Sequence, residues 1–385
     1  MKKIVCFMLI ITMFSVTLVF AEPSTQVDTD VSTQLVKAKS GILMEADTGE
    51  VLYEWNPDER LQIASVTKTM TMLLIMEALD SGKIKKDDMV TVSENAASMG
   101  GSQVFLEVGE QMSVDDMLKA IAVASGNDAS VAMAEHISGT HEAFVEKMNE
   151  KAQMLGCENT HFINCNGLDE TENHYSSARD VAKISQELLK HQGILEYTTI
   201  WMDSLRGGAF GLSNTNKLIR FYKGANGLKT GSTSVAKYCL SATAKRDDMQ
   251  LIAVVLGAPS TAERFGSATA LLDYGFANYA VADSEKLGVT LPSAEVIGGR
   301  EKEVFPKAEP VKIVVKKGNQ DKVQWEINME EKLKAPVLDG QRLGEIIFKI
   351  DGQELLKKEL TADGEIPRIK YIEKLLNLMK LWIAL

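Results

Sequence analysis

Between Val66 and Leu79 the chain reads VTKTMTMLLIMEAL, apolar nearly all the way round a helix once past its first turn. That pattern predicts a helix buried at the centre of a domain, with Gly82 as its stop. Upstream, Gly41–Ala46 and Glu50–Trp55 read as strands joined by a turn at Asp47-Thr48-Gly49. Downstream, helices are predicted at Val114–Val123, Ala129–Ile137, Glu142–Leu155 and Ser177–Leu189. Ser113, Asp128 and Thr140 are their natural N-caps and Gly156 a natural terminator. Strands at Tyr238–Ala244 and Leu251–Leu256 precede an amphipathic helix from about Thr261 to Tyr279. Strands, a block of helices, then strands and a helix predict an α+β (α/β) domain over residues 36–283, its mostly antiparallel sheet flanked by the helical cluster.

The pattern changes after Asp283. Residues 284–365 carry short alternating runs such as Val311–Val315, Val323–Ile327 and Glu345–Ile350, with turn signals at Gly318-Asn319 and Asp351-Gly352. This predicts a small all-β domain without a helix of any length. It holds no cluster of His, Cys and paired acids, so a scaffold or spacer is expected. In residues 366–385, Ile369, Ile372, Leu375, Leu376, Met379, Trp382 and Ile383 recur at spacings of three and four, with Lys370, Lys374 and Lys380 mainly off that stripe. An amphipathic helix lying in a membrane interface is predicted, too short to span a bilayer. The plainer alternative is a terminal helix docked on the protein itself.

The other end of the chain points the same way. Met1-Lys2-Lys3, an apolar run from Ile4 to Phe20 and the exit Val19-Phe20-Ala21 describe a secretory signal over residues 1–21, followed by a polar, mobile leader over 22–35. The formal charge of −11 becomes −13 once Lys2 and Lys3 leave with the signal. So acidic a surface excludes nucleic acid as a partner. Of the four cysteines, Cys6 leaves with the signal. Cys157 and Cys165 have the option of one bridge in an oxidising compartment, but buried thiols acting as small apolar residues are the plainer reading for these two and Cys239.

Three short motifs carry chemistry. In Ser65-Val66-Thr67-Lys68, residues three apart share a helix face, so hydroxyl and amine can meet at the start of the buried helix. A serine is a poor nucleophile until a base takes its proton, and a lysine serves only when neutral, through burial or a nearby cation. Ser125-Gly126-Asn127 falls in the bend between two helices. Lys229-Thr230-Gly231, followed by Ser232, falls just before a predicted strand. Lys229 offers the cation that would depress Lys68, or a partner for a substrate carboxylate alongside the hydroxyls of Thr230 and Ser232. Gly231 would let a peptide backbone approach. Alone, each motif reads by default as a helix cap or a surface turn; their order, with export, is what is specific.

That motif set is the one known for β-lactamases and penicillin-binding proteins. With Gly41–Trp55, Ala64–Lys68, Gly126–Ala129, Thr160-His161-Phe162, Asn166-Gly167-Leu168-Asp169, Gly227–Gly231 and Leu272–Gly275, residues 36–385 resemble the low-molecular-mass penicillin-binding proteins, and among them the D-alanyl-D-alanine carboxypeptidases. The resemblance implies a transpeptidase/β-lactamase-like catalytic domain, no cofactor or metal, peptidoglycan stem peptides as substrates, β-lactams as inhibitors, and a place on the outer face of the cytoplasmic membrane. It implies Ser65 as nucleophile, Lys68 as base, Ser125 as proton relay and Asn127 as orienting group. Lys229 and Thr230 would hold the terminal carboxylate, and the N–H groups of Ser65 and Ser232 the oxyanion. Substrate would lie as an added strand beside the segment after Gly231. Some members carry His where this chain has Ser232; the hydroxyl still binds a carboxylate and the N–H is kept.

Two other readings compete. A β-lactamase of one class needs a Glu-x-x-Leu-Asn segment ahead of Lys-Thr-Gly, and the only match, Glu373 to Asn377, lies in the tail. A non-catalytic penicillin-binding or wall-sensing protein has no need of a general base. His136, His141 and Glu142 lack a His-Glu-x-x-His pattern and read as structural.

Overall fold

The computed structural model describes residues 34–168 and 171–383, without the side chains of residues 377, 378, 380, 381 and 383. The predicted signal peptide, the leader up to residue 33, and Asp169 of the Asn166–Asp169 motif lie outside the described residues.

Five antiparallel strands form the main sheet, in the order Val51–Trp55, Ser40–Glu45, Met249–Ala258, Lys237–Arg246, Ala225–Thr233. The middle strand is buried at every position, which its near-continuous apolar sequence requires of a strand covered on both faces. The period of two divides its side chains cleanly. Leu251, Ala253 and Val255 meet Leu271, Leu272 and Phe276 of the helix Thr261–Asn278, while Ile252, Val254 and Leu256 join the core of the helical cluster on the other face.

In that cluster the helix Lys68–Asp80 packs against Val114–Ala122, Asn127–Ser138, His141–Met154 and Ala178–Lys190. It is buried almost all round, as its composition demands. Ser113 and Thr140 cap their helices through their hydroxyls, as predicted, and Gly156 takes a positive φ just past the end of its helix.

Three local predictions are corrected. The α-helix begins at Lys68, and Ser65 stands on a 3₁₀ turn, Ala64–Thr67, entered through Ala64 at φ +48°. Asp128 is not a cap: Gly126 occupies the N-cap position, and the Asp128 carboxylate, inside the helix, instead accepts N–H bonds from Val104, Leu106 and Ala129. Lys229-Thr230-Gly231 does not precede a strand but lies within one, Ala225–Thr233, at the edge of the sheet. Two glycines, a lysine and two threonines gave that strand no alternating apolar signal, because its exposed edge serves polar contacts.

Beyond Asp283 the described residues form short sheets around two small apolar cores, with no helix longer than the turn Gln320–Lys322 before residue 365. The hairpin Arg342–Ile350/Gln353–Ala362 turns at Asp351-Gly352, both at positive φ. The strand Tyr279–Asp283 leaves the first domain and pairs with Lys312–Lys316, whose Val314 enters the core beneath the Thr261–Asn278 helix. The chain closes with the helix Tyr371–Ile383.

Candidate active site

The Lys68 amine is wholly buried and has three neighbours: Ser65 Oγ at 3.0 Å, Asn127 Oδ1 at 2.6 Å and the Asn166 carbonyl at 2.7 Å. The orientation of the Asn127 amide follows from its other end, where Nδ2 donates to the Gly100 carbonyl at 2.7 Å. Asn127 Oδ1 and the Asn166 carbonyl can only accept. An ammonium supplies a proton to each of the three neighbours. A neutral amine has two protons and one lone pair, so both protons go to the obligate acceptors and the lone pair is left facing Ser65, the one neighbour with a proton to give. Burial pushes the Lys68 amine down to about 7, with Asp128 pulling the other way. Half-buried Ser65 remains within reach of solvent while its base does not.

Two glycines let the chain close around this group. A Cβ on Gly231 would lie 2.9 Å from the Ser65 nitrogen and 2.7 Å from the Ile63 carbonyl. The backbone that Gly231 admits is therefore the protein's own nucleophile turn. A Cβ on Gly167, at φ +79°, would lie 1.9 Å from the Ala64 carbonyl oxygen. Only glycine permits Asn166 to bring its carbonyl onto Lys68. Behind that loop, Cys165 N–H donates to His141 Nε2 at 3.3 Å, and His174 joins Thr67 Oγ1 at 2.7 Å.

The Ser125-Gly126-Asn127 segment forms the bend between two helices, as predicted, and brings Asn127 onto Lys68. Ser125 sits at φ +65° with its hydroxyl buried and unpartnered. Such a group costs about 1–3 kcal/mol until it finds a partner. Lys229 is also buried, its amine donating to the Thr230 carbonyl at 2.9 Å, and Thr230 Oγ1 lies 2.7 Å from Thr215 Oγ1. Ser232 is exposed at the open strand edge. The expected electrostatics between the two lysines is corrected: burial, rather than Lys229, lowers Lys68, whereas the repulsion between them, with burial ahead of it and Arg264 behind, takes Lys229 well below its ordinary value.

Sequence reasoning missed four contributors. The Asn166 carbonyl has no side-chain signature. The Thr215 hydroxyl and the Asp128 carboxylate act through partners distant in sequence. Arg264, from the helix Thr261–Asn278, reaches the Gly231 carbonyl at 3.3 Å and the Cys239 carbonyl at 3.4 Å; its place in a plain amphipathic pattern gave no hint. The other motifs stay apart from the site. Glu373 is tied to Arg300 at 2.5 Å in the β-rich module. Cys157, Cys165 and Cys239 are free and buried. Among the described residues, no group of three His, Cys, Asp or Glu side chains is placed to hold a metal.

Residues 27–260 match the D-alanyl-D-alanine carboxypeptidase family, and residues 286–368 match the C-terminal domain of penicillin-binding protein 5. The chain is 50% identical to the D-alanyl-D-alanine carboxypeptidase DacF of Bacillus subtilis over 90% of each chain. It is 35% identical to DacA of Haemophilus influenzae over 91% of this chain and 89% of that one. The crystal structure of penicillin-binding protein 5 from Haemophilus influenzae superposes with a TM-score of 0.78 at 34% identity, covering 88% of this chain and all of that one. Penicillin-binding protein D2 of Listeria monocytogenes, solved with ampicillin bound, aligns over 63% of this chain and 99% of its own, at 30% identity and a TM-score of 0.58.

The close approach at Gly167 gives a direct test. Gly167→Ala is expected to lower unfolding stability by about 2–4 kcal/mol. In the folded fraction, labelling of Ser65 by a fluorescent penicillin is expected to slow by about 10²-fold, because a displaced Asn166 carbonyl no longer aims the amine. Labelling at the parent rate would refute that dependence.

Proposed function

The chain belongs to the D-alanyl-D-alanine carboxypeptidase family, and on that footing we propose that it removes the terminal D-alanine from peptidoglycan pentapeptide stems through an acyl-enzyme on Ser65. The observation that carries this reading is the three-way contact of the Lys68 amine, which leaves its lone pair only the Ser65 hydroxyl to face.

Ser65 Oγ attacks the carbonyl carbon of the penultimate D-alanine while its proton passes to Lys68 Nζ. The developing oxyanion is held by the N–H groups of Ser65 and Ser232, on the two segments that Gly231 allows to touch. As the C–N bond breaks, the leaving amine takes a proton from the Ser125 hydroxyl, which recovers one from Lys68. The unpartnered state of that hydroxyl fits a group whose partner is the leaving nitrogen. Water then attacks the ester, its proton goes to Lys68, and Ser65 is restored. Burial and neighbouring cations lower Lys229 in the free protein; a substrate carboxylate arriving beside it favours the ammonium form, any proton taken up coming from solvent, with Thr230 and Arg264 nearby. A β-lactam acylates the same serine, but its cleaved amine stays tethered and obstructs water.

The exported site requires a place beside the wall, and the terminal helix supplies one. Its Ile372, Leu375, Leu376, Met379 and Trp382 side chains are exposed, Trp382 over 86% of its surface. An apolar stripe left in water fits a membrane interface better than docking on the protein. No described helix is long and apolar enough to cross a membrane.

Three outcomes test this reading. Protein lacking residues 1–21 should release D-alanine from a pentapeptide stem and form a long-lived penicillin adduct, and Ser65→Ala should abolish both. Fast penicillin turnover without D-alanine release would favour a β-lactamase, and an adduct without release a sensor. The acylation rate should climb with pH up to about 7 and level off above it, as Lys68 loses its proton; a rate already flat below pH 6 would contradict a lysine base. Finally, Leu376→Asp with Met379→Asp should abolish co-sedimentation with lipid vesicles while leaving D-alanine release intact.

A further inference from the structure

Phe105 is held against both its solvation and its backbone preference. It is exposed over 68% of its surface and sits at φ +55°, where a bulky side chain is uncommon. Four backbone groups around it are tied down. Val104 and Leu106 donate their N–H groups to Asp128 Oδ2 at 3.0 and 3.1 Å. Arg206 donates from Nη1 to the Val104 carbonyl at 3.0 Å and from Nη2 to the Phe105 carbonyl at 3.1 Å. Asp128 is 1% exposed. Arg206, itself at φ +52°, is fixed by Glu110 through bonds of 2.8 and 3.1 Å. A buried carboxylate and a guanidinium thus over-determine one strained, outward-facing ring, and strain so maintained points to use.

The surroundings say what the ring meets. Phe210 lies edge-on to it at 6.2 Å, under the Arg206 guanidinium at 5.5 Å. Arg206 is occupied by Glu110, so the surface it presents here is apolar rather than ionic. Leu168, half exposed, reaches toward Gly100 and Gly101 on the same loop. That loop is continuous with the reaction site, since its Gly100 and Ser102 carbonyls accept from the Asn127 side chain and backbone. An extended substrate with its last two residues at Ser65 must emerge over an edge of the site. We propose that Phe105, backed by Phe210 on the loop whose Gly100–Gly101 end Leu168 covers, is the specificity-determining contact for the aliphatic part of the stem peptide upstream of the scissile D-alanine pair. The inference rests on the carboxypeptidase reading above.

The experiment compares two peptides and one drug on protein lacking residues 1–21. D-alanine release is measured from L-Ala-D-Glu-L-Lys-D-Ala-D-Ala and from N-acetyl-D-Ala-D-Ala, and acylation by benzylpenicillin is measured alongside. Phe105→Ala is expected to lower kcat/KM for the pentapeptide by about tenfold, mostly through KM, and to leave the short dipeptide and penicillin unchanged. Phe105→Gly should lose the same preference with an equal or higher melting temperature, because glycine accepts the positive φ without strain. Phe105→Trp should keep the preference. An unchanged pentapeptide-to-dipeptide ratio in the first two variants would overturn the inference. So would an equal fall on all three reagents, which would place the loop's effect in Asn127 alone. A parent protein that takes penicillin but acts on neither peptide would instead overturn the carboxypeptidase reading itself, and this one with it.

Discussion

The structure turns on an amine buried among acceptors. Among the described residues, the wholly buried Lys68 amine has an amide oxygen, a backbone carbonyl and a hydroxyl within hydrogen-bond distance. Burial sets how readily it gives up its proton; the two obligate acceptors set the direction in which its lone pair points. Neither property is available to a lysine on a surface. The arrangement opposes folding. In the unfolded chain the amine holds its proton up to about 10.5, and in the fold only to about 7. Its contribution to stability is therefore most unfavourable below 7 and improves as pH rises from 7 toward 10.5. The large, doubly covered core around the helix Lys68–Asp80 is what makes such a group tolerable.

Each acceptor comes from a different stretch of chain, and each is aimed by something other than itself. Asn127 is oriented by the Gly100 carbonyl, Asn166 by the room left at Gly167, and the nucleophile turn by the absence of a side chain at Gly231. Rigid elements meet at these points, so the positioning is a property of packing rather than of any one loop. The same logic explains why the strand Ala225–Thr233 must be an edge. One side pairs with Lys237–Arg246 and the other is a free sheet edge, the side on which the proposed strand-like binding of a peptide would occur.

The Ser65–Lys68 contact and the buried helix that begins at Lys68 were readable from sequence, because a side chain three residues along a helical turn is a local fact. So were the middle strand of the sheet, whose unbroken apolar run has one physical explanation, and the terminal stripe from Ile372 to Trp382. The edge strand was not readable. Its buried middle is built of Gly227, Leu228, Lys229, Thr230 and Gly231, with Gly231 closed against the Ser65 turn, and carries no apolar alternation. Asp128 misled because an acid near a helix start usually caps it; here the N–H groups it serves, those of Val104 and Leu106, are more than twenty residues away in sequence. The Asn166 carbonyl could not have been found by residue type at all, since every residue has one. The order of events at the two lysines was also hidden, because the sequence names the charges but not how deeply each is buried.

The β-rich module is joined to the first domain by pairing and packing rather than by a bare linker. A flexible tether would leave the junction loosely bonded, yet Tyr279–Asp283 and Lys312–Lys316 pair at five consecutive positions. Val314 is buried in the same cluster as Leu43 and Leu251 of the main sheet, and Lys312 meets Asp47 at 2.6 Å in the turn between the first two strands. Strand pairing resists bending in a way that a linker cannot.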